Sequence, residues 1–429
     1  MLLSAKIKNF ASFKDEVSIN FEASREAKFS KYLPVLKKFR KKILPVSCFF
    51  GPNAAGKTNF LNALDCLHRM VFAQEDRMPE TLITPFLLDK EHKNNPTEFE
   101  LSFVAAENTC FVFRVAATKQ EVLSESLSII NTVGERPLYI RKQDHFELIA
   151  NVDNEKKIIL KAMFAATPKH QLFLNITRKT LFDQNWPELI QVLQWFDHLV
   201  LITPETKFLP VWGAIDQLKD ILSDLDFGVD DICLRDYPTD NIPIDLQNSA
   251  KNLVRDNRGL GTYLNGDFVF ALLEKGALVY KKLCALHRLE NDESVEFSFK
   301  SESDGTKRIL ELAPVIYSLL HSLEMPRVFM IDELDRSLHT LLTKYIVKSF
   351  IKKSSPDTRV QLLFTCHDAL MIDSDTFRRD EMYVVSKENG TTQIKNFYKI
   401  NGTRSDSSLR KMYLNGELGG IPGVKNIEL

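Results

Sequence analysis

Continuous runs of mostly apolar residues mark several positions along the chain. Three of them, at 43–50, 328–331 and 360–366, are short and flanked by polar residues, which predicts buried strands. Apolar residues at helical spacing predict helices that begin near residues 60, 187, 216 and 309. The two patterns together predict an α/β fold with a mixed central sheet and flanking helices.

Alternation of apolar and polar residues predicts a second kind of strand. The segment from Leu2 to Phe13 begins with such an alternation, and four further runs lie between residues 97 and 149. They predict an antiparallel sheet beside the central one. Asn389-Gly390 between two alternating runs predicts a hairpin. Residues 230–292 sustain neither pattern, and we interpret them as an insertion of helical or irregular structure.

The segment from Gly51 to Asn59 carries a motif with a chemical meaning. It reads GPNAAGKTN and fits G-x-x-x-x-G-K-[ST], the phosphate-binding P-loop, between a predicted strand and a predicted helix. Its glycines permit a tight turn whose main-chain N–H groups face phosphate oxygens at a helix N-terminus. A chance match in a turn is the alternative, and the flanking strand and helix disfavour it. The predicted nucleotide-binding residues of the loop are Asn53, Ala54, Ala55, Gly56, Lys57, Thr58 and Asn59.

Two pairs of adjacent residues have predicted roles toward ATP and Mg²⁺. The Lys57 ammonium group reaches the β- and γ-phosphates, and the Thr58 hydroxyl ligates Mg²⁺. The predicted strand at 328–331 ends in Asp332 and Glu333, which is the Walker B arrangement. Asp332 is then placed to hold Mg²⁺ through water, and Glu333 to polarise the attacking water. The alternative is a strand that ends in an acidic turn.

Three further segments have patterns with two interpretations. Ser303 and Gly305 lie in SESDGTKR before a predicted helix, where a phosphate site and a simple capping loop look alike. His367 follows the strand at 360–366 and is predicted to contact the γ-phosphate, although a lone histidine is usually structural. Residues 335–339 form either an intersubunit contact loop or a surface turn.

Composition bounds the class of protein. The chain has 429 residues, of which 44% are hydrophobic, enough for one large α/β domain with insertions or for two domains. Its 56 basic and 57 acidic side chains nearly cancel, so no overall field attracts it to nucleic acid or membrane. The densest basic cluster, Lys37 to Lys42, is either a solvated loop or a grip on a phosphate backbone.

Cysteine usage and the first residues indicate the compartment. Six cysteines without a C-x-x-C pair are typical of buried thiols in a reducing cytosol. The segment from Met1 to Lys6 carries charge where a signal peptide has its apolar core, and no apolar run approaches membrane-spanning length. We therefore expect a cytoplasmic location and no membrane partner.

The ordered motifs GPNAAGKTN, SESDGTKR, VFMIDELDRSLH and LLFTCHD, with KIKNFASF at the start, resemble the ABC-type ATPase heads of the RecF, SMC and OLD-like branch. More narrowly, ESDGTKR, DELDRSLH, RRDEMYVVSK and MYLNGELGGIPGV look like the ATPase components of bacterial abortive-infection and anti-phage systems such as PARIS-type defence. The resemblance is thinnest from 116 to 290. It implies a head formed by 1–115 and 293–429, with an antiparallel β and helical insertion at 116–292.

In such heads the active site is shared between two copies. The resemblance implies that ATP and Mg²⁺ on the P-loop of one protomer are closed by Ser303 and Gly305 of another, so the protein forms a homo-oligomer. It makes Glu333 the catalytic base and His367 the switch histidine. The motif at Ser303 reads ESDGT instead of LSGGQ, which leaves the strength of the contact between protomers open. No Q-loop glutamine can be placed.

The resemblance implies an ATPase that senses a phage-derived trigger and controls a toxic effector in anti-phage defence. OLD-type relatives carry a Toprim nuclease after the ATPase, and only about 60 residues follow His367 here. We therefore expect the effector nuclease or toxin to be a separate chain. The alternative is a RecF-like DNA-maintenance ATPase that binds DNA in an ATP-dependent way. A transporter subunit fits less well, and missing heptads exclude long coiled coils.

Overall fold

The structure is a computed structural model. It describes residues 1–72, 82–150, 152–180, 186–204, 206, 208–211, 228–254, 259–400 and 409–420. The helix predicted near residue 216 lies outside these residues. No helix in the described ranges combines the length and the apolar character that crossing a membrane requires.

The elements are numbered in chain order. The strands are β1 (Leu2–Lys8), β2 (Val17–Asn20), β3 (Val35–Leu36), β4 (Lys41–Lys42), β5 (Val46–Phe50), β6 (Thr97–Val104), β7 (Cys110–Ala117), β8 (Val122–Ile130), β9 (Glu135–Lys142), β10 (His145–Leu148), β11 (Leu199–Ile202), β12 (Phe208–Val211), β13 (Asp231–Asp236), β14 (Gly259–Leu264), β15 (Asp267–Glu274), β16 (Ala277–Arg288), β17 (Ser294–Ser298), β18 (Arg327–Ile331), β19 (Val360–Cys366), β20 (Met382–Glu388) and β21 (Thr391–Asn396). The helices are α1 (Lys57–Phe72), α2 (Asn154–Ala165), α3 (Phe173–Thr180), α4 (Pro187–Asp197), α5 (Ile244–Val254), α6 (Asp304–His321), α7 (Thr340–Lys353) and α8 (Leu409–Leu414).

Residue contacts divide the chain into two compact units. The first unit comprises 1–201, 324–332 and 354–429, and the second comprises 202–323 and 333–353. The three segments inferred from the sequence divide the chain by motif and not by contacts, and their boundaries stay a prediction.

A six-stranded sheet forms the centre of the first unit. Its order is β11-β18-β19-β5-β20-β21, and the pairs β18–β19, β19–β5 and β5–β20 are parallel. The three predicted buried strands are thus confirmed as neighbours, because their apolar runs are buried on both faces. Their carboxyl ends lie at one edge of the sheet, where α/β proteins bind ligands.

A seven-stranded sheet, in the order β10-β9-β8-β7-β6-β1-β2, confirms the predicted antiparallel sheet. The alternating pattern did not predict β9. Helices α1 and α4 contribute to the hydrophobic core that this sheet shares with the central sheet. The ring of Trp195 on α4 stacks on Phe103 of β6 with 4.0 Å between centroids. The predicted hairpin at Asn389-Gly390 is confirmed as the turn between β20 and β21.

The second unit contains an antiparallel sheet in the order β12-β14-β15-β16-β13, with β17 beside β16. Helix α5 packs Leu246 and Ala250 against this sheet. Residues 230–292 were expected to be helical or irregular, and most of them are strands instead. The turns Asn265-Gly266 and Lys275-Gly276 have positive φ at both positions, as two-residue hairpins require. Both turns are visible in the sequence, but the apolar runs beside them are too short to have marked the flanking segments as strands.

Candidate nucleotide site

The loop between β5 and α1 is held in shape by close contacts with the rest of the first unit. Gly56 has φ +106° and lies against Thr392 and Ser12, so a Cβ here would come within 2.1 Å of Thr392 Oγ1. Only glycine fits this position. Ala54 also has a positive φ, and Asn53 and Ala54 are exposed, as residues that face a ligand are.

A chain of hydrogen bonds fixes the conformation of the loop. Thr392 Oγ1 donates to the carbonyl of Ala55 at 2.7 Å and lies 2.6 Å from Ser12 Oγ. The amide Nδ2 of Asn59 donates to Ser12 Oγ at 2.7 Å. The predicted residue Asn59 therefore helps to fix the shape of the loop from the first turn of α1. Thr392 and Ser12 join the N-terminal segment, the P-loop and β21.

Lys57 is the first residue of α1 and is only 4% exposed. Its Nζ donates to the carbonyls of Gly51 and Pro52 at 2.8 and 2.9 Å and lies 3.2 Å from Nδ1 of His367. Because an ammonium group only donates hydrogen bonds, Nδ1 of His367 accepts here. The structure thus brings Lys57 and His367 together. His367 is exposed, at the end of β19.

Asp332 accepts hydrogen bonds from two hydroxyl groups. Thr58 Oγ1 donates to Oδ2 at 2.8 Å, and Thr365 Oγ1 donates to Oδ1 at 2.6 Å. Asp332 is 5% exposed and follows the last residue of β18. A hydroxyl and a carboxylate side by side are hard oxygen ligands of the kind that Mg²⁺ prefers. Thr58 and Asp332 therefore fit the predicted metal site.

The remaining predicted residues, Ser303, Gly305 and Glu333, belong to the second unit. Ser303 is the N-cap of the 18-residue helix α6, where its hydroxyl accepts from the main-chain N–H of Thr306 at 3.1 Å. A Cβ on Gly305 would lie 2.9 Å from the carbonyl oxygen of Ser337. The absence of a side chain at Gly305 therefore lets the start of α6 approach the loop that follows Glu333.

Glu333 has a left-handed backbone with φ +51°, which is unusual for a residue with a side chain. Its carbonyl accepts from Nη2 of Arg308 at 3.3 Å and from the main-chain N–H of Arg336 at 3.1 Å. Arg308 also contacts Glu311 at 3.1 Å and is 6% exposed. A buried arginine on α6 therefore fixes the backbone of Glu333.

The motifs did not identify Ser12, Thr392 or Arg308 as residues that support the site. Ser12 and Thr392 are 380 positions apart, so no local pattern joins them. Arg308 lies in the SESDGTKR segment, five residues after Ser303, and this position was the available signal. The supporting functions of Ser12 and Thr392 are visible only from contacts between distant segments.

A P-loop lysine and threonine beside a strand-end aspartate define the class of P-loop nucleoside triphosphatases. The chain belongs to the family described as "AAA domain, putative AbiEii toxin, Type IV TA system", whose model matches residues 46–373. That range contains every predicted site residue. The family confirms the predicted class of ATP-binding ATPase. The narrower likeness to ATPases of PARIS-type defence stays a prediction.

The other comparisons give distant likeness. No curated protein matches the chain. Two structures of the recombination mediator protein RecF of the RecFOR pathway, one with ATPrS and one with ATP, are each 12% identical to it. The match to the first has a TM-score of 0.37 and covers 92% of this chain and 98% of the RecF chain. The match to the second has a TM-score of 0.38 and covers 92% of this chain and 99% of the RecF chain. Likeness at this level carries no argument about function.

Proposed function

We propose that the protein hydrolyses ATP with Mg²⁺ and uses the nucleotide to join its heads into a homo-oligomer. The observation that carries the proposal is the group formed by Lys57, Thr58, Asp332 and His367 at the edge of the central sheet. Catalysis of phosphoryl transfer requires positioning and charge stabilisation more than covalent chemistry. This group supplies a cation, a metal-binding pair and a polar contact for the terminal phosphate.

Each residue has a distinct task in this proposal. Nζ of Lys57 exchanges the carbonyls of Gly51 and Pro52 for phosphate oxygens. Thr58 and Asp332 hold Mg²⁺, which neutralises phosphate charge when bound. Glu333 accepts a proton from the attacking water, and His367 contacts the γ-phosphate. The backbone of Asn53 to Gly56 surrounds the remaining oxygens.

Replacement of Lys57 tests the nucleotide site directly. Lys57→Ala removes the ammonium group, so we expect loss of ATP binding in equilibrium dialysis and loss of phosphate release. Lys90→Ala, at an exposed position, is the matched control and should behave as the parent protein. Tight ATP binding by Lys57→Ala would refute the assignment.

We infer that the second copy contributes Ser303 and Gly305 to the bound nucleotide. The N-terminus of α6 offers main-chain N–H groups and a favourable dipole to an anion. In this proposal, these groups of one copy bind the other copy only while its bound nucleotide carries a γ-phosphate. Nucleotide state therefore becomes assembly state, since hydrolysis removes the contact that favours the oligomer.

For the biological role, we propose a sensor that controls a separate toxic effector in anti-phage defence, in response to a phage-derived trigger. The support is the description of the family, which names the AbiEii toxin and a Type IV TA system, together with the motif resemblance. The test is co-purification of the chain with the product of a neighbouring gene. A complex that dissociates when Glu333→Gln is loaded with ATP supports control by nucleotide. The proposed role is contradicted if the chain purifies without such a partner and if co-expression of the chain with the neighbouring gene leaves growth unaffected.

A DNA-maintenance ATPase is the second candidate. All five basic residues of the β3–β4 hairpin, between Lys37 and Lys42, are exposed. They form a patch that a phosphate backbone can contact. If DNA is the substrate, duplex DNA should stimulate ATP hydrolysis, and the double substitution Lys38→Glu with Arg40→Glu should abolish the stimulation. Lys387→Glu with Lys395→Glu is the matched control for the change in charge.

A further inference from the structure

Three side chains with metal-binding atoms meet on the sheet of the second unit. Cys233 on β13 and Cys284 on β16 are opposite each other in the antiparallel register. Glu296 lies on β17, on the other side of β16. One ligand atom from each residue, the two Sγ atoms and a carboxylate oxygen, all lie within 4.8 Å of one another. None of these residues belongs to the nucleotide site.

We propose that Cys233, Cys284 and Glu296 bind a zinc ion, with water as the fourth ligand. Thiolate sulfur and carboxylate oxygen are zinc ligands, and the ion holds sulfur at about 2.3 Å in tetrahedral geometry. Two sulfur atoms on such an ion are about 3.8 Å apart. Movements of about 1 Å or less therefore bring the observed atoms to the distances that zinc requires.

Arg235 on β13 completes the electrostatics of the site. Its Nε and Nη2 donate to Oε2 of Glu296 at 2.7 and 2.6 Å. These hydrogen bonds lower the pKa of the Glu296 carboxyl. Two thiolates, one carboxylate, the guanidinium group and Zn²⁺ together carry no net charge. A hydrogen-bonded partner behind a ligating carboxylate is also usual at zinc sites.

Zinc binding at this position has a defined proton balance. Burial and the hydrogen bond with Glu296 together raise the pKa of the Cys284 thiol to about 12, so this thiol must give up a proton when it binds the ion. Each cysteine releases its proton to the buffer when it binds the ion as thiolate, and no redox change occurs. Affinity for zinc therefore rises with pH. Cys233 is half-buried and Glu296 is exposed, which leaves an entry path.

The site would join three strands through their side chains. β17 ends at Ser298, shortly before the N-cap Ser303 of α6. An ion bound to Glu296 thus restrains the strand that leads to the start of this helix. The proposal concerns metal binding alone and does not depend on the proposed ATPase function.

Cobalt(II) is the probe for the experiment, because cobalt–thiolate bonds give a near-ultraviolet charge-transfer band. The full chain is reduced, stripped with EDTA and titrated with cobalt chloride and then with zinc chloride. We expect the band to saturate at one ion per chain and to disappear when zinc displaces cobalt. Oxygen ligands at the nucleotide site give no such band, so the two sites are separated by the readout.

Substitution of each proposed ligand residue tests whether that residue binds the ion. Cys233→Ser and Cys284→Ser should each lose more than about 100-fold in cobalt affinity, since outer-shell partners alone account for 10–100-fold. Glu296→Gln changes an exposed side chain, so it should keep the fold and still weaken binding. Cys110→Ser and Glu293→Gln are the matched controls and should bind as the parent chain does. Absence of the band in the parent chain, or an unchanged band in Glu296→Gln and both cysteine variants, overturns the proposal.

Discussion

Asp332 shows how single residues prepare the metal site. Both of its carboxylate oxygens accept hydrogen bonds from hydroxyl groups, one from the P-loop residue Thr58 and one from Thr365 on β19. These contacts fix the carboxylate in one orientation before a metal binds. Thr365 is fully buried, so its main contribution to the site is through Asp332.

Thr365→Val tests this orientation. The substitution keeps the shape of the side chain and removes the donor to Oδ1, so the Mg²⁺ concentration for half-maximal ATP binding should rise about 10-fold or more. Titration of Mg²⁺ with a fluorescent ATP analogue measures the change. Thr358→Val is the matched control, because Thr358 is also buried and its hydroxyl accepts a hydrogen bond from the main-chain N–H of Ser355 and not from a residue of the site. An equal requirement for Mg²⁺ in both variants would show that Thr365 does not act on the site.

Glu381 gives the first unit a pH-dependent stability. Burial raises the pKa of this carboxyl from its ordinary value of 4.5 to about 8. The folded chain therefore keeps a proton that the unfolded chain loses between these values, and stability falls as the pH rises from about 4.5 to about 8. Burial also lowers the pKa of the Met1 amine to about 5, which acts in the opposite direction.

The comparison of wild type with Glu381→Gln isolates the carboxyl, because both proteins contain the same Met1 amine. Glutamine cannot ionise, so the melting temperature of the variant relative to wild type should be higher at pH 8 than at pH 5. Thermal unfolding at the two pH values measures this difference. Glu388→Gln, at an exposed position on β20, should show no such change. A difference between wild type and Glu381→Gln that is the same at both pH values contradicts the predicted ionisation.

At the scale of elements, helix α6 has a structural and a proposed functional use of its first residues. The Ser303 hydroxyl caps the helix, and we propose that the same residue contacts the γ-phosphate bound to another copy. Ser303→Ala should cost about 1 kcal/mol of stability through loss of the cap. Ser303→Asp retains a capping oxygen and adds a negative charge that repels phosphate.

The two substitutions at Ser303 therefore separate the two uses. Ser303→Asp should melt like the parent protein and fail to self-associate with ATP. Ser301→Asp, at an exposed position nearby, should melt like the parent protein and associate normally with ATP. Thermal unfolding and size-exclusion chromatography with ATP are the measurements. If Ser303→Asp associates normally with ATP, the residue serves only as a cap.

The elements also show what the sequence can predict. Strands β5, β18 and β19 are buried on both faces, so their apolar runs are visible without any partner. Strands β13 to β16 face solvent in part, and their mixed residues resemble loops until the hairpin turns are recognised. The predicted residues Lys57, Thr58, Asp332 and His367 come together because they stand at the carboxyl ends of neighbouring strands. The supporting residues Ser12 and Thr392 could not be predicted, since tertiary contacts alone select them.

At the scale of the whole molecule, the proposed machinery is distributed over two compact units. The P-loop and Asp332 belong to the first unit, whereas Ser303, Gly305 and Glu333 belong to the second. The proposal that ATP joins two copies assigns a use to both sets. It also explains why the conversion of ATP to ADP can act as a switch, because the contact to a second copy depends on the γ-phosphate.

The most direct measurement is the mass of Glu333→Gln in solution by light scattering, with and without ATP and Mg²⁺. Loss of the base should leave ATP bound but uncleaved. We expect the mass to be that of a larger oligomer with ATP and to return to the starting value with ADP. An unchanged mass in a sample that retains bound ATP would contradict the claim that the triphosphate joins two copies of this chain.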